Sequence, residues 1–147
     1  MQTFLPYPSF PLSAQCLDYR RLGKQRIEAK QIWLALRNKD GKGGWVNHPA
    51  VKMWCGYDDA LIWYGEIMCR EWIRRGYQDN TLPWFMEIKA KRVKVKPTTP
   101  MPAWLGVEKF HAGHRGTLMF KKPEWYSQFG WDETPKYEYW WPTEHGF

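Results

Sequence analysis

The 147-residue chain carries 22 lysines and arginines against 15 aspartates and glutamates, a net charge of +7, which favours a polyanionic partner, duplex nucleic acid before membrane. No apolar run is long enough to span a bilayer and no signal-peptide pattern opens the chain, so a cytoplasmic protein is expected. Cys16, Cys55 and Cys69 form no C-x-x-C pair, which argues against a disulfide framework or a zinc knuckle and leaves no cofactor to expect.

The length fits a single domain over residues 1–147 with a substantial core, and the protein is expected to be a monomer. Residues 1–12 hold prolines at 6, 8 and 11 between Phe4, Leu5, Tyr7 and Phe10. This pattern predicts an extended arm pinned by aromatics. Ser13 is a suitable cap for a first helix over 14–38, closed by Asn38-Lys39-Asp40-Gly41. Gly23 inside that helix costs about 1 kcal/mol of helix propensity, a sign that another group comes close to the backbone there.

At 3.6 residues per turn, Arg20, Arg21, Lys24, Gln25 and Glu28 share one side of this helix, and Arg26, Lys30 and Arg37 another. Between them run two apolar flanks, Leu22, Ala29 and Trp33 on one and Cys16, Ile27 and Leu34 on the other. A surface helix needs only one polar face. One reading leaves both strips solvated, since long cationic stems cover apolar surface with their heads in water. The other makes one strip the floor of a cleft in which Glu28 lies among cations and an anionic ligand is held.

Further along, Pro49 opens a short helix over 49–55, with His48 anchoring the turn into it and Gly56 closing it. Asp58 or Asp59 caps a second long helix over 59–75, with Leu61, Ile62, Met68, Trp72 and Ile73 at helical spacing and Gly76 as its stop. Residues 87–96 alternate cations with small or apolar residues, a strand-like period, but no partner strand exists, which predicts a short extended piece or a loop. That basic run suits electrostatic attachment to DNA. A third helix over 107–121 carries His111, His114 and Arg115. The i, i+3 histidines suit either a metal or, with Arg115, a phosphate. Pro123 begins an aromatic tail over 123–147, in which Trp140 and Trp141 are candidates for stacking on an exposed base. The expected architecture is all-α: three principal helices wrapped by irregular aromatic-rich segments.

Tyr19-Arg20 followed by Leu22, the helix from Tyr64 to Arg75-Gly76-Tyr77, and Lys122-Pro123-Glu124-Trp125-Tyr126-Ser127-Gln128-Phe129-Gly130 together resemble the pyrimidine dimer DNA glycosylases. These are the small all-α "endonuclease V" repair enzymes of the type first known from bacteriophage T4. Arg20 to Glu28, Asn47 to Tyr57, Trp104-Leu105-Gly106 and Phe110 to Arg115 look closer still to a bacterial branch of that family. The resemblance implies a metal-independent glycosylase and AP lyase that kinks damaged duplex DNA and attacks C1′ of the deoxyribose with its N-terminal amine. An α-amino group titrates near 7.7–8.0 against about 10.4 for lysine, so such an amine keeps a useful neutral fraction at cellular pH. A carboxylate stabilises the cationic sugar or shuttles protons.

Carried over by residue, Arg20 matches the family's arginine after tyrosine and takes a phosphate-binding role. The family's catalytic glutamate follows that arginine directly, and here the position holds Arg21. Glu28, two turns along the same face, is the expected substitute, with Asp18 a second candidate. Residue 2 is Gln2, which is too bulky for the usual removal of the initiator methionine, so the Met1 amine is the expected nucleophile and Lys24 the alternative. The expected DNA contacts are Arg20, Arg21, Gln25, His48, His111, His114 and Arg115.

Overall fold

The computed structural model of the protein describes residues 1–38, 46–92 and 99–147, and none of these lies in a β-strand. Seven α-helices occur among them: α1 (Phe10–Cys16), α2 (Tyr19–Leu36), α3 (Pro49–Lys52), α4 (Asp58–Arg74), α5 (Leu82–Arg92), α6 (Glu108–Lys121) and α7 (Pro123–Tyr126). The expected all-α architecture holds. The expected loop over Lys39-Asp40-Gly41 to Trp45 and the end of the basic run, Val93 to Lys96, lie outside the described residues.

The predicted first helix is two. Helix α1 starts four residues early, because Pro11 falls in the first turn where its missing N–H costs nothing and the Ser9 side chain accepts from the backbone N–H of Leu12. Ser13 is no cap. It is buried, and its hydroxyl exchanges hydrogen bonds with the backbone of Tyr7. Leu17 and Asp18 are both extended, which breaks the helix. The Tyr126 hydroxyl closes the break, accepting from the Asp18 N–H at 3.0 Å and donating to the Asp18 carboxylate at 2.5 Å. Asp18 is fully buried, so it serves this junction and does not face solvent as a second catalytic carboxylate would.

Helix α2 turns Leu22, Gln25, Ala29 and Ile32 inward and packs against α4. A Cβ on Gly23 would stand 3.1 Å from the Trp72 ring, which identifies the close approach that this glycine signals. The second apolar flank is not buried: Ile27 and Leu34 are exposed, and Cys16 belongs to α1. The second polar strip is tied down within the protein. Arg26 pairs with Asp79 and lies over Trp72, Lys30 lies over Trp84, and Arg37 reaches Asp58 at 2.6 Å.

Helix α4 begins at Asp58 and ends where Gly76 takes φ +93°, a conformation that costs glycine little. Helix α5 replaces the expected extended piece. Asp79 accepts from the backbone N–H groups of Thr81 and Leu82 and so nucleates it, and Phe85 anchors it, buried against Gly65 of α4. Alternating cations misled here because they pair outside any sheet: Lys89 with buried Glu66, Lys91 with Glu87, and Arg92 with Asp59. The described part of the basic run is therefore neutralised by acids of the protein and is not a free stripe for DNA.

The tail lies across α6. Lys136 N–H donates to the Gly116 carbonyl at 3.1 Å, and the Thr117 hydroxyl accepts from Glu138 N–H at 3.3 Å. Cβ atoms on Gly113 and Gly116 would come within 3.4 and 3.1 Å of tail carbonyls, so the two glycines let the tail rest directly on the helix.

The α4–α5 contact gives a direct test. A Cβ on Gly65 would lie 2.2 Å from the buried Phe85 ring. Gly65→Ala is expected to lower stability by roughly 1–3 kcal/mol, as overpacking does, and Gly23→Ala by less, because Trp72 is only half-buried and can shift. Thermal unfolding followed by circular dichroism measures both.

Candidate active site

The arm over residues 1–6 runs through the interior with no strand beside it, so side chains must satisfy its backbone. Gln25 accepts from Phe4 N–H at 2.8 Å, and the Tyr64 hydroxyl shares its one proton between the Phe4 carbonyl at 2.9 Å and the Gln25 oxygen at 2.6 Å. His114 Nδ1 accepts from Leu5 N–H at 2.8 Å, and His111 Nδ1 donates to the Leu5 carbonyl at 2.7 Å. That tautomer of His111 follows from its Nε2, which accepts from Gly106 N–H at 2.9 Å. Arg115 donates to the Pro6 carbonyl at 2.9 Å, and Trp54 to the Thr3 hydroxyl at 3.0 Å.

These contacts correct four sequence expectations. His111 and His114 are fully buried and hold the two polar groups of Leu5 as a neighbouring strand would. Arg115 is spent on the Pro6 carbonyl, Glu108 and Glu133. The three are neither a phosphate trio nor a metal chelate, and no group of three metal-ligating side chains occurs among the described residues. Gln25 also points inward. Its oxygen takes the Phe4 N–H and the Tyr64 hydroxyl, at 2.6 Å, and its amide nitrogen donates to Glu28 at 3.4 Å. It orients Glu28 and is not available to bind DNA.

Fixed in this way, the arm delivers the chain's start into a cleft of about 480 Å³ lined by Met1, Gln2, Phe4, Arg20, Arg21, Lys24, Gln25, Glu28, Lys121, Tyr137 and Tyr139. The first polar strip of α2 is its floor, as one of the two readings expected. Glu28 Oε2 accepts from the Gln2 backbone N–H at 3.2 Å, so the carboxylate and the arm meet at one point. Thr3 is completely buried and Gln2 nearly so; the Gln2 side chain folds back to accept from Thr3 N–H at 2.9 Å. Arg21 reaches Asp18 at 3.2 Å, and Arg20 leans on the Tyr19 ring and hydroxyl. Lys24 is exposed at the rim.

His48 stands beside the cleft. Its Nδ1 accepts from Ala50 N–H at 3.0 Å and caps α3, as the sequence led us to expect, and Trp141 meets its ring edge-on at 5.8 Å. Burial lowers its pKa, and the positive charge of the chain's N-terminus lowers it further. Trp140 is turned away from the cleft, stacked flat on His145 at 4.3 Å. The tail's aromatic contribution to the cleft is instead Tyr137 and Tyr139, beside Phe4 of the arm, and α6 adds the cation Lys121. Sequence reasoning missed Tyr137, Tyr139 and Lys121. Burial and the charges of Arg21 and Lys24 lower the Lys121 pKa, while Glu28 opposes them. Burial first, then Tyr137 and Glu28 among other groups, raise the pKa of Tyr139. Among the described residues that line the cleft, Glu28 is the acid, surrounded by the side-chain cations of Arg20, Arg21, Lys24 and Lys121.

The model of the family described as pyrimidine dimer DNA glycosylase matches residues 1–84 of the chain. No curated protein and no solved structure matches it. No helix among the described residues is long and apolar enough to cross a membrane.

The buried histidines make stability depend on pH. Burial, and next the charge of His111, bring the His114 pKa down to about 3, so between there and about 6.5 the unfolded chain binds a proton that the folded one refuses. Stability is complete above that window and falls as pH drops through it, by about 1.4 kcal/mol per pH unit for the group. Urea titrations at several pH values should show this slope, flattened in His114→Asn, whose amide oxygen can still accept from Leu5 N–H.

Proposed function

The chain belongs to the pyrimidine dimer DNA glycosylase family, and from that premise we propose that it is a DNA-repair glycosylase and AP lyase that opens pyrimidine-dimer sites in duplex DNA through an amine Schiff base. The observation that carries this reading is the arm threaded through the core, which ends beside Glu28 in a cation-lined cleft. Arg20, Arg21 and Lys24 are the phosphate-binding groups, and His48 sits at the amine's side of the site.

In the proposed reaction the neutral α-amine of Met1 attacks C1′ of the damaged nucleotide, and the bond to the base breaks with its electron pair leaving on the base nitrogen, which takes up a proton. The attached nitrogen gives up one proton, the C1′–O4′ bond breaks with O4′ taking a proton, and the opened sugar is left as an iminium joining C1′ to the amine. Glu28 then removes a proton from C2′, and the 3′-phosphate leaves by β-elimination, which nicks the strand; water hydrolyses the iminium and frees the amine. Glu28 suits this role because Gln25 and the Gln2 backbone aim it and the surrounding cations keep it from being the site's dominant charge. Lys24, also at the cleft, is the other amine within the same wall.

Borohydride added to the protein with an abasic duplex should trap a covalent adduct, and peptide mapping should find it at the amino terminus. An adduct on Lys24 would move the nucleophile there. No adduct on either abasic or dimer DNA, at any pH tried, would leave a DNA-binding domain without lyase chemistry. Glu28→Gln should slow dimer cleavage by roughly 10²–10⁴-fold, the usual scale for an acid–base group, with duplex affinity nearly unchanged. Arg20→Ala and Lys24→Ala should each reduce the slope of log K against log salt by about 1, read by fluorescence anisotropy.

A further inference from the structure

Base release calls for a proton that neither the amine nor Glu28 is placed to give. A nucleophile that attacks C1′ in line with the departing bond enters on the face away from the base, so the base leaves on the side of C1′ remote from the amine. Glu28 is on the amine's side, where it accepts from the Gln2 N–H at 3.2 Å. A base that departs unprotonated leaves as an anion, and a positioned acid relieves that cost.

Arg20 and Arg21 line the cleft, but a guanidinium gives up no proton at an accessible pH. Lys24 rises from the same face of α2 as Glu28. The groups with protons to give that other elements bring are Lys121 of α6 and Tyr137 and Tyr139 of the tail. Burial makes the Tyr139 phenol a weaker acid than usual, and Tyr137 offers its ring to the lysine.

Two features equip Lys121. Its ammonium is placed, standing 4.7 Å from the Tyr137 ring centroid, and that ring is itself held. The residues on either side of Tyr137 are fastened to α6 through Gly116 and Thr117, and its ring meets Phe120 at 6.3 Å and Tyr139 at 5.5 Å. Lys121 is also a stronger acid than an ordinary lysine, because partial burial and then the charges of Arg21 and Lys24 lower its pKa against the opposing pull of Glu28. The residue is exposed, so a bound nucleotide can reach it.

Resting on the glycosylase reading above, we propose that Lys121 is the general acid of base release: its ammonium gives a proton to the departing base as the bond to C1′ breaks, and the neutral amine left behind regains one from solvent. The arm and α2 then supply the nucleophile and the base that acts on C2′, and α6 supplies the acid. Lys121 lies beyond residues 1–84, the part that matches the family.

The test compares the full chain, Lys121→Gln and Lys121→Arg on a thymine-dimer duplex and on an abasic duplex, with single-turnover rates at saturating protein. An abasic site has no base to release, so its strand cleavage needs no such acid. Both variants should cleave the dimer duplex roughly 10²-fold more slowly, the lower end of the scale for an acid–base group, and nick the abasic duplex at the wild-type rate. Lys121→Arg keeps the charge and gives no proton, so it should be as slow as Lys121→Gln. The wild-type dimer rate should also fall at alkaline pH as the Lys121 ammonium, among Arg21, Lys24 and Glu28 of α2 and Tyr137 and Tyr139 of the tail, loses its proton; both variants should lack that fall. A wild-type rate restored by arginine makes Lys121 a charge alone, equal slowing on both duplexes makes it structural, and a borohydride adduct mapped to Lys121 makes it the nucleophile; each overturns the proposal. Variants that cleave dimer DNA as fast as the wild type overturn it and leave the glycosylase reading standing, whereas a wild type that does not cleave dimer DNA overturns both.

Discussion

An extended segment inside an all-helical protein has to find hydrogen-bond partners for its backbone, and everything distinctive about this molecule follows from how the arm finds them. With no strand alongside, Phe4, Leu5 and Pro6 are served by Gln25, Tyr64, His111, His114 and Arg115. A buried backbone group left without a partner costs on the order of 1–3 kcal/mol, so these side chains are bound to their task. Their satisfaction fixes where the chain's first residue lies, and that in turn decides which face of α2 becomes a cleft and which becomes scaffold.

This explains which parts of the molecule were legible in the sequence. Periodicity read α4 and α6 closely and the body of α2, though not its start, and Gly23 announced the ring of Trp72. The same periodicity separated Arg20, Arg21, Lys24 and Glu28 from Arg26, Lys30 and Arg37, and the structure makes the first set a cleft and the second a set of internal pairings. It could not tell a polar residue that meets solvent from one that meets backbone. His111, His114, Arg115 and Gln25 look functional as residue types because donors and acceptors are what either duty needs. The break at Leu17–Asp18 was hidden for a related reason: it depends on Tyr126, 108 residues away. Alternation in 87–92 was misread because its cations pair with acids on α4 and on α5 itself. Tyr137, Tyr139 and Lys121 reach the cleft only through the tail's path over α6, and no local pattern records a path.

The charge arrangement bears on the position where the family has a glutamate. Arg21 there is tied to Asp18, which is itself held by Tyr126, so that point of the helix belongs to a network linking the α1–α2 junction to α7. Glu28 lies farther along the same face and is gripped by Gln25 and by the arm. A carboxylate at this second point moves with the arm and not with the junction. With Arg21 bound into that network, the negative charge at the cleft is that of Glu28, held by Gln25 and the arm.

The arm's partners also impose an order in time. Leu5 and Pro6 find their hydrogen bonds at His111, His114 and Arg115, roughly a hundred positions further along the chain. Contacts so distant in sequence close late, and here they do not exist until α6 has been made. A chain that lacks α6 keeps the partners of residues 2–4 in Glu28, Gln25, Trp54 and Tyr64, but has none for the Leu5 N–H and carbonyl or for the Pro6 carbonyl. The arm is therefore seated in two stages, its outer end on α2 and α4 and its middle only when α6 packs over it.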